Sequence, residues 1–199
     1  MPDRSENVRY IPLSQQTEMP WKNGGGTTRE ICKHQDASGV VWRASIATIH
    51  ASGPFSLFEG CDRIITLIDG PPVMLNFADG EQRTLEIFTP EHFSCDRPVS
   101  ATIAATSHDL NLIWRRDSVS VASQAINVQG PTEITLAPAD WHLIVACDGS
   151  IEIAVDGNTS SLSAGEAMLF NELTEMVDLT LKPASGTCSV LAFRIFRLD

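Results

Sequence analysis

Two stretches of this chain repeat one another: Arg63-Ile64-Ile65-Thr66-Leu67-Ile68-Asp69-Gly70 aligns with His142-Leu143-Ile144-Val145-Ala146-Cys147-Asp148-Gly149, strand on strand and turn on turn. After extra residues around Pro71-Pro72 the match continues, with Asp79-Gly80 on Asp156-Gly157, Leu85 on Leu162 and Phe93 on Phe170. Asp-Gly is a hairpin dipeptide, because tight turns between antiparallel strands need positive φ. Strand, Asp-Gly turn and strand, twice over, predict two small antiparallel barrels in one chain. The competing explanation is chance, since Asp-Gly turns recur in any β protein.

The rest of the chain is consistent with an all-β fold. Helical periodicity is scarce, and short alternating or β-branched runs are bounded by Gly, Pro, Asp and Asn. Strands are predicted over Thr28 to Lys33, Val40 to Ile49, Val73 to Phe77, Arg83 to Phe88, Asp178 to Leu181 and Cys188 to Arg197. In the second of these, Trp42, Ala44, Ile46 and Thr48 share one face, and Arg43, Ser45, Ala47 and Ile49 the other. Pro71-Pro72 should interrupt the ladder between neighbouring strands.

Among possible sites, the stretch Trp21-Lys22-Asn23-Gly24-Gly25-Gly26-Thr27-Thr28-Arg29-Glu30 stands out. Three consecutive glycines suit a backbone that needs positive φ or a close approach. Their N–H groups could form a concave anion site, with the charges of Lys22 and Arg29 beside it. The plainer alternative is a glycine-rich loop with solvated charges. No Gly-Lys-Ser/Thr follows, so this is not a P-loop.

Charge narrows the partners. A formal net charge of −11 and a pI near 4.8 argue against nucleic acid or an anionic membrane, both of which attract positive charge. Five cysteines make an odd set without a C-x-x-C pair, which points away from a disulfide framework and towards a reducing compartment. The opening residues are polar and no apolar run is long enough for a signal-peptide core or a membrane span. A cytoplasmic protein is expected.

The run Met19 to Ile31 closely resembles the opening signature of the HutD/Ves family. Trp42-Arg43-Ala44-Ser45-Ile46-Ala47, Gly53-Pro54-Phe55-Ser56-Leu57-Phe58 leading to Asp62-Arg63, and Asp109-Leu110-Asn111-Leu112 with Arg115-Arg116 resemble its later blocks in order. One departure is Glu59, where the family pattern leads one to expect proline. The resemblance implies a bicupin, two jelly-roll cupin-like barrels, here set at residues 1 to 110 and 111 to 199. The C-terminal apolar run is a candidate to cross back to the first barrel. It also implies an association with histidine utilisation, without a settled reaction.

Many cupins bind a metal through His-x-His, a Glu and a distal His. Here no two of His34, His50, His92, His108 and His142 have chelating spacing, and Met168 stands where the distal His is expected. No metal or other cofactor is therefore expected, although His142 with Asp140 or Glu166 is a weak second-barrel candidate. No nucleophile-and-base pattern appears, so no catalytic residue is assigned, and Cys61 reads as a small buried residue.

By the same alignment Arg63 replaces the metal-binding Glu, which reverses the charge of the first pocket. A guanidinium there can grip a carboxylate bidentately. The alternative is a salt bridge to Asp62, Glu59 or another internal acid. The predicted ligand site is Trp21, Lys22, Asn23, Gly24, Arg29, Trp42, Arg43, Ser45 and Arg63. Asp109 and Asn111 are secondary candidates, to orient a ligand or brace the barrels. The expected partner is a small organic anion, with a homodimer left open. The expected role is binding or sensing in histidine breakdown, with urocanate or N-formylglutamate as candidate ligands. The rival is a metal-independent isomerase or hydrolase that uses Lys22 or a histidine as acid/base.

Overall fold

The computed structural model describes residues 7 to 198; the polar opening at 1 to 6 and Asp199 lie outside the described residues. A short 3-10 turn, Leu13–Gln15, lies between strands, which are the main elements of the described residues. The early strands are β1 (Val8–Ile11), β2 (Thr17–Pro20), β3 (Gly26–Asp36), β4 (Gly39–Ile49), β5 (Gly53–Pro54) and β6 (Cys61–Asp69). Next come β7 (Val73–Phe77), β8 (Gln82–Leu85), β9 (Glu91–Ser94), β10 (Val99–Thr102), β11 (Ser107–Arg115) and β12 (Val119–Val128). The last are β13 (Thr132–Leu136), β14 (Ala139–Ala146), β15 (Ser150–Val155), β16 (Asn158–Ser163), β17 (Ala167–Leu173), β18 (Val177–Pro183) and β19 (Cys188–Arg197).

The chain forms two compact units. The first is Gln16–Val119 with Leu198, and the second combines residues 7 to 15 with Ser120–Arg197. The sequence expectation divided the chain at 110 and gave its opening segment to the first barrel. The C-terminal run expected to cross back is β19, which pairs with β14 inside the second unit. Of that run, Leu198 groups with the first unit, where its N–H reaches the Ser118 carbonyl at 2.9 Å.

In the first unit, a six-stranded sheet ordered β2-β3-β4-β11-β6-β9 faces a four-stranded sheet ordered β5-β10-β7-β8. Strand alternation builds the core between them. Ile49, Ile65 and Leu67 from the large sheet meet Val73, Leu75, Phe77 and Val99 from the small one. The second unit repeats the plan, with β17-β14-β19-β12 matching β9-β6-β11-β4, and β13-β18-β15-β16 matching β5-β10-β7-β8. β1 adds to the free edge of β17. Its interior is apolar, built from residues such as Ile144, Ile153, Leu162, Met168 and Phe170.

The duplication read in the sequence is thus a duplication of sheet order. Leu85 and Leu162 are both fully buried, and Phe93 and Phe170 are both buried. Each jelly-roll unit is an open pair of sheets rather than a closed barrel. The two Asp-Gly turns differ. Asp156 and Gly157 both have positive φ, as a two-residue hairpin requires, whereas at Asp79-Gly80 the positive φ belongs to Gly80 within a longer loop. The strand expected to run to Phe88 ends at Leu85, and Phe88 takes a positive φ as the chain turns back to Leu67.

Candidate functional site

The register of the first unit's large sheet determines which polar side chains meet. On the inward face, Arg43 of β4 and Arg63 of β6 flank Ile113 of β11. One step along, Ser45 and Ile65 flank Asn111, and a further step on, Ala47 and Leu67 flank Asp109. All of these but Ile65 and Leu67, which turn into the apolar core, form the floor of a cavity of about 540 Å³. Its walls include Trp21, Phe55 and Phe58, with Lys22 and Asn23 at the rim.

Arg63 is 6% exposed and its guanidinium is enclosed by aromatic rings. Its Cζ lies 5.3 Å from the centroid of Phe55 and 5.8 Å from those of Phe58 and Phe93. Arg43 takes the other approach to Phe58, at 4.9 Å. Such contacts are worth about 2 kcal/mol when desolvated, which offsets part of the cost of burying the charge. Burial pushes the pKa of Arg63 down, against the pull of Cys95 and Asp109. A guanidinium nevertheless stays protonated. Its Nε has no hydrogen-bond partner.

Asp109 is fully buried, and burial pushes its pKa up to about 7 against the opposing effects of Arg63 and a hydrogen bond from Asn111. Asn111 Nδ2 donates to Asp109 Oδ1. That bond leaves Asp109 Oδ2 and Asn111 Oδ1 without partners. The cavity floor therefore carries one unpaired donor atom and two unpaired acceptor atoms, each of a kind that normally finds a partner when buried.

The salt-bridge alternative for Arg63 does not hold for the acids first considered. Asp62 pairs with Arg116 at 3.0 Å, and Glu59 is exposed. Among the described residues, no acid forms an ion pair with Arg63, and Asp109 acts on it through space. The thiol beside Arg63 is Cys95 rather than Cys61.

Of the nine residues predicted for the site, Trp21, Lys22, Asn23, Arg43, Ser45 and Arg63 line this cavity. Gly24, Arg29 and Trp42 do not. Trp42 lies next to Arg43 in the same strand, so pleating turns it to the opposite face, where it is buried and stacked on His34. Arg29 pairs in register with Ile46, on that same opposite face, and bonds Gln16 Oε1.

The glycines act as structure rather than as an anion nest. The Gly24 N–H is bonded to the Trp21 carbonyl at 3.0 Å and the Gly25 N–H to Asn23 Oδ1 at 3.0 Å. Gly24 has φ +70°, and a Cβ on Gly26 would lie 2.2 Å from the Thr48 carbonyl oxygen. The turn thereby presses Trp21 onto the sheet, where its indole N–H donates to Thr28 Oγ1 at 2.7 Å. Asp109 and Asn111, secondary candidates in the sequence, also line the cavity, and Phe55 and Phe58 are lining residues that sequence reasoning did not assign to it.

The second unit shows what the same ladder looks like when filled. His142 pairs in register with Arg194 as Arg63 does with Ile113, so Ala192 and Val190 stand at the positions of Asn111 and Asp109. His142 is buried and its Nε2 lies 2.8 Å from the Ala137 carbonyl. Burial pushes its pKa down, that bond opposes the shift, and Arg194 adds to it. Asp140 is bonded to Arg197, and Glu166 accepts from the N–H groups of Ser163 and Leu13, so neither joins His142. Among the described residues no group of His, Cys, Asp and Glu is arranged to hold a metal ion, and no helix is long and apolar enough to cross a membrane.

Comparison with known proteins follows this geometry. The HutD family model matches residues 13–189. Protein Ves of Citrobacter koseri is 42% identical over 113 residues, which are 55% of this chain and 59% of that protein, so the match spans about three-fifths of its relative. Two solved structures are each 28% identical to the chain. A conserved protein of unknown function from Pseudomonas aeruginosa PAO1 has a TM-score of 0.87, covering 95% of this chain and 98% of that one. HutD from Pseudomonas fluorescens SBW25, in a formate condition, has a TM-score of 0.81, covering 96% and 100%. At 8% identity, a cupin 2 conserved barrel domain protein from Leptotrichia buccalis, with a TM-score of 0.58 and coverage of 88% and 91%, shows the cupin fold alone.

Proposed function

The chain belongs to the HutD family, and from that membership and the chemistry of the first unit we propose that it binds a small organic anion at Arg63. The observation that carries this reading is a buried guanidinium in an aromatic enclosure, without an ion pair among the described residues, on the floor of a cavity. A carboxylate supplies what Arg63 lacks: a close ion-pair partner and an acceptor for its Nε. Lys22 at the rim and Arg43 on the floor add positive potential to a protein whose net charge is −11, so an anion is drawn to this place rather than to the surface at large.

The family relation directs the choice of anion to histidine breakdown in the cytoplasm, with urocanate and N-formylglutamate as candidates and release of the ligand unchanged. The formate condition of the P. fluorescens relative makes formate a reasonable minimal probe. A second reading is favoured by one feature, the carboxyl of Asp109 with a pKa near neutrality inside the cavity. In that reading the chain is a metal-independent enzyme with Asp109 as acid/base, in place of the exposed Lys22.

Calorimetry of the full chain with formate, urocanate and N-formylglutamate, followed by overnight incubation and product analysis, tests both. Saturable heat lost in Arg63→Met, with ligand recovered intact, supports the binding protein. Turnover lost in Asp109→Asn supports the enzyme, and no heat from any of the three overturns the anion assignment.

A further inference from the structure

The polar atoms of the cavity floor are unequal in kind. A carboxylate on Arg63 answers the guanidinium, but it cannot answer Asp109 Oδ2 or Asn111 Oδ1, because two acceptors need a hydrogen on the other side. These two atoms belong to residues almost wholly buried, at 1% and 6% exposure, that line the same cavity. They also lie apart from Arg63. Ile113 is the β11 residue opposite Arg63, and Asn111 and Asp109 are the next two inward positions along that strand. The apolar walls of Trp21 and Phe55, edge to face at 6.5 Å between centroids, offer no donor to them, since the indole N–H is already bonded to Thr28.

We propose that Asp109 and Asn111 form a second subsite that accepts an N–H or O–H donor, so that the cavity selects an acid carrying such a group over a simple carboxylate. This rests on the anion reading and makes it more specific: Arg63 takes the anionic end and the Asp109–Asn111 pair takes the donor end. The selectivity has a physical source. Both acceptors are already buried without a partner in the ligand-free chain, so a ligand whose donor reaches them gains hydrogen bonds that a donor-free analogue forgoes.

The test compares two probes that share an acrylate carboxylate on a five-membered ring. In 3-(imidazol-4-yl)acrylate the ring carries an N–H, and in 3-(furan-3-yl)acrylate it does not. Calorimetry at about pH 8, where an imidazole is neutral, should show the native chain binding the imidazole probe at least about 10-fold more tightly. The paired substitution Asp109→Leu with Asn111→Leu should bring the two affinities within about twofold, and the ligand-free melting temperature should hold or rise because unsatisfied buried atoms are gone. Asn111→Leu alone provides the comparison if the paired variant does not fold, and should at least halve the preference.

Equal binding of both probes by the native chain, or a preference that survives these substitutions, overturns the subsite while leaving Arg63 as an anion site. A melting temperature that collapses in Asn111→Leu assigns the pair a structural role and likewise overturns it. Binding of neither probe to the native chain overturns the anion reading and the subsite together.

Discussion

Arg63 and Asp109 are the opposite charges buried on one cavity floor, and among the described residues no ion pair joins them. Each is held instead by its surroundings: the cation by the faces of Phe55, Phe58 and Phe93, and the carboxyl by burial and Asn111. A floor of this kind has room for an outside partner and a measurable response to losing either member.

Arg63→Met keeps length and apolar packing among the three rings while removing the charge. The melting temperature is expected to stay level or rise, because a buried charge without a close counter-ion is destabilising. Affinity for a carboxylate probe is expected to fall by about 1.5 to 3 kcal/mol or more, the range for hydrogen bonds to charged groups. A large loss of stability with affinity intact would assign Arg63 to the core instead.

Asp109 governs a pH dependence whose direction is fixed by its raised pKa. The carboxyl is held at about 7 in the folded chain against an unfolded value of 3.8, so the folded state binds the proton more tightly. Its contribution to stability is full below about pH 4 and lost as pH rises through about 7. Denaturant melts of native protein and Asp109→Asn across this range should diverge by something on the order of 2 to 4 kcal/mol. The native protein should lose stability towards neutral pH relative to the variant, and parallel curves would exclude a buried, proton-holding Asp109.

Lys22 should matter less than Arg63. Its side chain is exposed at the rim, where solvent screens a charge, so Lys22→Ala is expected to cost under about 1 kcal/mol of probe affinity. The difference from native protein should fade as salt is raised. A loss equal to that of Arg63→Met, insensitive to salt, would mean that the ammonium reaches the anion directly.

Gly26→Ala tests the turn that presses Trp21 onto the sheet. Its Cβ would fall 2.2 Å from the Thr48 carbonyl oxygen and 3.1 Å from the Trp21 ring, neither of which can yield without opening the β3–β4 ladder. A destabilisation of about 2 kcal/mol or more is expected, with weaker probe binding because Trp21 is displaced. Gly39→Ala, with open space around its Cβ and φ +115°, separates backbone strain from collision.

The sheet plan was legible because it is written twice: apolar runs and Asp-Gly turns repeat with enough regularity to pair Leu85 with Leu162 and Phe93 with Phe170. The site was legible in part. Arg63 stood out as the cation of β6, aligned where metal cupins carry a Glu, and Arg43 with Ser45 followed from alternation. That same alternation excludes Trp42 from any cavity that Arg43 lines. Asp109 and Asn111 carry the matching signal, two polar residues at i and i+2 within Leu110, Leu112, Ile113 and Trp114. Phe55 and Phe58 could not be assigned this way. They sit on an irregular connection between β5 and β6, and a loop's path over a cavity leaves no period in the sequence.

The matched ladders of the two units bear on the stoichiometry expected of the proposed anion site. On backbone alone this chain would be counted as divalent, since β14 and β19 repeat β6 and β11 pair for pair. Side chains break that equivalence: Val190 and Ala192 offer nothing where Asp109 and Asn111 offer acceptors, and His142 Nε2 meets the Ala137 carbonyl where Arg63 Nε has no partner. A titration of the intact protein with a carboxylate probe should saturate at one molecule per chain, and the second unit serves as a blank of nearly the same architecture.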